Sequence, residues 1–350
     1  MDPSPLIGGA PMVTLVAERP PDGPGIVEAT VLPGRGFMLL QARARQPGGE
    51  VIDLLHAPDP AAAAAELDGG PDDFAGNRAF AFGGAILAPF ANRIRGRALA
   101  ETREIETTIG GRPVRLPRNW GGKRPGAEAY AMHGLILARP IAFERDGPGA
   151  VNGRLDALAG WPGPLELSFR WSLVDGELAL RLEARNTGTG PAPFGAGWHP
   201  YFRLPGGDRR RVRLRLPAKL RAEVNNYDEV LPTGRLLPVA ETPYDFRAGR
   251  ALGDLYLDDC FTGLEPRPLS IEVADPAAGL ALRIASTSSR LRAVQVYAPP
   301  EEAFVVIEPQ FNLADPFGAV WPRDVDTGMA WLAPGETATY DVSLRVLACP

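Results

Sequence analysis

Cysteine and histidine are scarce in this chain: two cysteines and three histidines stand among 350 residues. Cys260 and Cys349 make neither a disulfide framework nor a metal-ligand spacing, which fits a reducing compartment. No two of His56, His133 and His199 share a helical turn, so any metal would have to be assembled from distant segments. Long apolar runs are missing too. No stretch can span a bilayer, and the N-terminus "MDPSPLIGGAPMVTLVAERP" lacks a basic region followed by a continuous apolar one. A soluble, cytoplasmic protein without a membrane partner is expected. Nor is there an excess of positive charge: 37 basic and 42 acidic residues give a net charge of −5, so nucleic acid is not an expected partner. A Gly-x-Ser-x-Gly nucleophile elbow is absent.

What the chain does have is turn formers and period-two alternation. Glycine (40) and proline (37) are plentiful, and 45% of residues are hydrophobic, enough for a large core. In "LELSFRWSLVDGELALRLEARN", Leu165, Leu167, Phe169, Trp171 and Leu173 share one face, and Leu178, Leu180 and Leu182 continue it after a turn at Asp175 and Gly176. "ATYDVSLRVLA" alternates in the same way, and shorter strands are expected near 12–17, 26–32 and 36–45. In "DRRRVRLRLPAKLR" (208–221) the arginines read as the wet face of a strand. The single helical candidate is "DPAAAAAELDGG", with Asp59 as N-cap and Pro60 at the first position. These patterns predict an all-β protein, a large antiparallel β-sandwich. One domain over 1–350 is the simplest organisation, with 1–10 a poorly ordered tail, and 119–134 reads as a long glycine-rich loop.

Few residues invite chemistry. In "FVVIEPQ" (304–310) an apolar strand runs into Glu308, and Pro309 is expected to stop the ladder there; alone, such a carboxylate reads as a solvated surface group. His199, in "FGAGWHPYFRLPG", is flanked by Gly197, Pro200 and aromatic residues, which suits either a rigidly held imidazole in an apolar cleft or a histidine at the core edge. His133 precedes Gly134, where the backbone can bend tightly, and His56 reads as structural or exposed. Asn92 and Arg93 put an amide beside a guanidinium, fit for hydroxyl-rich ligands, although Arg95 and Arg97 alternate with them as on a solvated strand edge. Asp258 and Asp259 together read first as a turn.

Taken in order, "LAPFANRIRGR", "MHGL", "GWHPYFRLPG", "LPTG", "LDDCF" and "VIEPQFNLADPFG" resemble the motifs of the aldose 1-epimerase, or galactose mutarotase, family, over roughly residues 10 to 347. The resemblance implies that family's supersandwich with a carbohydrate cleft, and it implies roles. Glu308 would be the general base and His199 the general acid, while Asn92, Arg93, His133 and Asp258 would bind sugar hydroxyls or steady the ring oxygen. Leu135 after His133–Gly134, and Arg203 after "HPYF", depart from the frequent pattern and leave the sugar open.

Anomer exchange needs one base and one acid, a carboxylate beside a protonated imidazole, and transfers no electron or group. Neither cofactor nor metal is expected, and the partner is a small-molecule sugar, with the protein a monomer or homodimer. Two other readings stay open: a hexose-phosphate 1-epimerase, for which Arg93 and Arg203 are the arginines to inspect, and a non-catalytic carbohydrate binder. Trp198 and Phe317 are candidates to stack on the sugar.

Overall fold

The computed structural model describes residues 5–19, 21–122 and 127–349. Alternation decides the architecture. The hairpin Leu165–Val174 and Glu177–Asn186 pairs in register from Leu165↔Asn186 to Val174↔Glu177, closed by Asp175 (φ 49°) and Gly176 (φ 73°), the left-handed pair a two-residue turn requires. Its period-two leucines and aromatics all fall on one side, and each such side chain taken from water contributes about 1.5–3 kcal/mol. The hairpin and the C-terminal strand Thr337–Ala348 lie within a nine-stranded antiparallel sheet. An eleven-stranded antiparallel sheet packs against it, holding the expected strands Val13–Val16, Gly25–Leu32 and Met38–Arg45.

Aromatic pairs join the two sheets. Trp171 meets Trp198 with ring centroids 5.8 Å apart and donates its indole N–H to the Phe37 carbonyl at 2.9 Å. Phe37 lies against Phe169, and Phe246 against Phe261. Trp198 is therefore core, not a platform for sugar. Phe317 stands beside Trp161 and Trp331, outside the cleft described below.

The expected helix is Pro60–Glu66, with the Asp59 carboxylate accepting from the N–H groups of Ala61 and Ala62 at 2.9 Å. Other expectations need correction. Pro309 does not stop its ladder: the strand runs Phe304–Gln310, with Val294↔Pro309 and Ala293↔Gln310 still paired, and Tyr340 donates its hydroxyl to the Pro309 carbonyl at 2.7 Å. A missing N–H forfeits one bond, and the neighbouring strand keeps the rest. Asp258 and Asp259 lie in the strand Leu257–Leu264 rather than in a turn.

The stretch 119–134 is more ordered than a loop, although 123–126 lie outside the described residues. Trp120–Gly121 pairs with Ala129–Met132, which pairs with Arg93–Arg95, and the Asn119 amide clamps both backbone groups of Met132. In the basic cluster, Arg213 and Arg215 do face solvent around buried Leu214. Arg209 does not: it is buried and donates to the carbonyls of Gly253, Leu255 and Ala298. At the N-terminus residues 1–4 lie outside the described residues, whereas Ile7 is buried in a core cluster with Leu32 and Leu40. His56 is exposed, its ring 5.3 Å from that of Phe304.

Candidate active site

Gly84–Leu87, Gly197–Arg203, Phe304–Gln310, Ala293–Ala298 and Leu257–Leu264 lie side by side in the middle of the eleven-stranded sheet. Each sends alternate residues into the core: Trp198 and Phe202, Val305 and Ile307, Val294 and Val296, Leu257 and Phe261. The residues between them face the other way, among them His199 and Tyr201, Phe304 and Glu308, Gln295 and Tyr297, and Asp258, all lining one cleft of about 580 Å³.

Register brings His199 and Glu308 together. Gly197 opposes Gln310 and Tyr201 opposes Val306, which sets His199 directly across from Glu308; Gln295 opposes Glu308 from the other side. His199 Nε2 lies 3.3 Å from Glu308 Oε1. The other oxygen of Glu308 accepts from the Gln310 amide at 2.9 Å.

Two tight bends bring in the rest. Asn92 (φ 60°) precedes the strand Arg93–Arg95, and His133 (φ 62°) follows the strand Ala129–Met132 and donates its backbone N–H to the Asn92 carbonyl at 2.9 Å. Gly134 is required here: a Cβ on it would meet the Ala88 carbonyl oxygen at 2.1 Å. Asn92 donates to Gln295 Oε1 at 3.0 Å and accepts from Arg93 Nη1 at 2.8 Å, while Gln295 donates to Asp258 at 2.6 Å. Arg93 Nη2 stands 3.8 Å from Asp258, and its Nε donates to the Tyr130 hydroxyl. All six sequence-nominated residues, Asn92, Arg93, His133, His199, Asp258 and Glu308, thus line one cleft, and Asn92 and Arg93 are buried rather than on a wet edge.

Asp259 behaves differently from its neighbour. It turns away from the cleft to pair with Arg221 and accept from the Tyr227 hydroxyl at 3.1 Å. Arg203 lies outside the cleft, donating to the Leu55 carbonyl, and Arg95 pairs with Glu128. "LPTG" supplies no polar group to the cleft; Gly234 sits where a Cβ would strike the Val320 carbonyl oxygen at 1.9 Å.

Some contributors were not nominated from the sequence. Gln295, Phe80 and Tyr297 line the same cleft, Gln310 bonds to Glu308, and Phe80 packs 4.9 Å from the His133 ring. Gln295 and Tyr297 could have been found: "AVQVYA" alternates, with Val294 and Val296 in the core. Trp120, Tyr227 and Tyr256 also line the cleft.

Burial governs the electrostatics. It pushes the Glu308 carboxyl well above the usual carboxylate range, and nearby Asp258 pushes the same way. Burial pushes His199 down to about 3 and His133 well down, with Arg93 adding to both shifts. Asp258 is raised by burial against the pull of Arg93 and Gln295. Burial also opposes the charge on Arg93, yet Asp258 and Tyr130 hold its guanidinium above its ordinary value. The expected protonated imidazole is therefore not the favoured resting form of His199.

The family model for aldose 1-epimerase matches residues 40–345. The chain belongs to the aldose 1-epimerase family. Galactose mutarotase from Pongo abelii is 28% identical over 218 residues, and that from Homo sapiens is 27% identical over 218 residues. Each of these alignments spans 58% of this chain and 59% of the relative. Among solved structures, an aldose epimerase homologue from C. elegans is similar with a TM-score of 0.74 at 20% identity, covering 97% of this chain and 99% of that one. A putative aldose 1-epimerase from Escherichia coli K12 gives 0.71 at 19% identity, with the same coverage of both chains. The all-β supersandwich is thus the fold of these relatives as well.

Proposed function

We propose that this protein is an isomerase, an aldose 1-epimerase that interconverts the α and β anomers of a free aldose. The observation that carries the reading is the His199–Glu308 pair, an imidazole and a carboxyl 3.3 Å apart on the floor of a cleft. A module that only binds sugar has no need of a proton donor and acceptor side by side. In the proposed mechanism Glu308 takes the proton from O1 as His199 gives one to the ring oxygen, and the C1–O5 bond breaks. The aldehyde rotates, and closure returns both protons to their sources. Asn92, Arg93, His133 and Asp258 bind hydroxyls or steady the ring oxygen. Nothing is oxidised or transferred, so the reaction balances without a cofactor.

The opposed shifts bear on which protonation state of the pair is costly. At the open-chain aldehyde Glu308 has gained its proton and His199 has lost its own. Burial favours that same pair, neutral carboxyl with neutral imidazole. The charged pair that starts the reaction is thus the costly form in the empty cleft, and proton transfer to the sugar and from it returns the pair to its neutral form.

A free aldose fits better than a sugar phosphate. Among the described residues lining the cleft, both guanidinium groups are engaged, Arg93 with Asn92 and Asp258, and Arg78 with Glu66. The wall also carries Asp72, Asp228 and Glu229, charges that repel a phosphate dianion. The test is proton NMR of fresh α-D-glucose, α-D-galactose and α-D-glucose 6-phosphate approaching anomeric equilibrium, with wild type, Glu308→Gln and no protein. Acceleration of a free sugar by wild type alone supports the reading. Rates equal to the blank on every sugar overturn it, and acceleration of the phosphate alone replaces the substrate class.

A further inference from the structure

His133 is a buried polar group without a protein partner. It is 1% exposed, and neither ring nitrogen has a hydrogen bond among the described residues. Its ring is bounded by the rings of Phe80 and His199, each centroid 4.9 Å away. A neutral imidazole carries one donor and one acceptor, and burying either unmet is costly, so orphaned nitrogens mark where something else binds. A sugar hydroxyl meets this need during turnover. The donor set suits a second kind of ligand as well.

One donor atom each from His133, His199 and Glu308 lie within 4.8 Å of one another. We infer that these three residues form a divalent transition-metal site, and that a zinc-like ion held there excludes the sugar. Two donors on a tetrahedral zinc stand roughly 3.4 Å apart at bond lengths of about 2.1 Å, and the His199–Glu308 spacing of 3.3 Å already meets that. His133 lies within the same 4.8 Å envelope, and no hydrogen bond among the described residues fixes its ring. Two imidazoles and one carboxylate favour zinc, cobalt or nickel over magnesium and calcium, which prefer all-oxygen sets. The ion then occupies the lone pairs of His199 Nε2 and Glu308 Oε1, the two atoms that move protons in the proposed reaction. The competitive consequence rests on the epimerase reading; the binding does not.

The experiment titrates the metal-free full chain with Zn²⁺, Co²⁺ and Mg²⁺ by calorimetry, following the Co²⁺ complex by its visible spectrum. The same titrations are made on His133→Ala, His199→Ala and Glu308→Gln, each checked by circular dichroism. The expected result is one equivalent of Zn²⁺ and Co²⁺ but not Mg²⁺, weakened at least about tenfold in every folded variant. In parallel, Zn²⁺ raises the apparent KM for sugar, and EDTA reverses it. No Zn²⁺ binding, or binding unchanged in His133→Ala and His199→Ala, overturns the site. Zinc binding that leaves KM unchanged overturns the exclusion. If wild type binds zinc through these residues yet leaves mutarotation at the blank rate, the epimerase reading fails while the metal site stands.

Discussion

The two sheets use the same alternation to different ends. On Leu165–Val174 the residues between the buried ones, such as Arg170 and Ser172, meet solvent, so one face carries the core and the other needs only to be wet. On Phe304–Gln310 every residue is buried, because the face opposite the core is covered by the cleft wall. A polar group on that second face is out of water and must find a partner or a ligand. Glu308, at 2% exposure, has Gln310 and His199, whereas neither ring nitrogen of His133 has a hydrogen bond among the described residues. A functional face and a solvated face thus look alike in sequence and differ in what lies above them.

Glu308→Gln acts on the cleft face and is expected to have the largest effect, a fall in kcat of about 10² to 10⁴, with the fold retained by circular dichroism. Its stability profile sharpens the contrast. The folded-state pKa of Glu308 is raised, so the native state binds that proton more tightly than the unfolded chain. The associated stability is present below the ordinary carboxylate value and is lost as pH rises through the folded value. Denaturant melts should therefore show Glu308→Gln losing less stability than wild type on going alkaline. The core face should respond the other way: Trp171→Ala is expected to cost about 3–5 kcal/mol in urea unfolding, with activity per folded molecule unchanged.

Two smaller changes tune the pair in opposite directions. The proposed mechanism needs one proton on the His199–Glu308 pair, so the pH profile of kcat/KM is expected to be bell-shaped, its alkaline limb marking loss of that proton. Asp258→Asn removes a negative charge that holds the proton on Glu308 and should move the alkaline limb to lower pH. Gln310→Leu removes a donor that favours the carboxylate and should move it to higher pH. A residue that only filled space would move neither limb. At the small end, Val174→Ser on the wet end of the hairpin should change stability by no more than about 0.5 kcal/mol and activity not at all.

Much of the fold was legible. The hairpin at 165–186, the C-terminal strand and the Asp59-capped helix follow from periodicity and capping alone, since each is specified by neighbours in sequence. The errors share one cause. Local chemistry alone misplaces Pro309, Asp259, Arg209 and the 119–134 segment. In each case the decisive partner is remote: Val294 and Tyr340, Arg221, the carbonyl of Ala298, and the strand Arg93–Arg95. The role of Gln310 is not legible in sequence because nothing local shows that its side chain reaches back to the carboxylate two residues earlier.

By itself the sequence determined the strand-rich class and the faces of the regular strands, because side-chain direction in a strand depends only on parity. Motif order further pointed to the family and nominated six residues. Only the tertiary structure decided that Glu308 and His199 are cross-strand neighbours, that Asp258 and Asp259 part company, and that Trp198 belongs to the core. Those outcomes depend on register between strands about a hundred residues apart and on what covers the second face of the sheet. Both are set by packing across the whole molecule, and no local pattern encodes either.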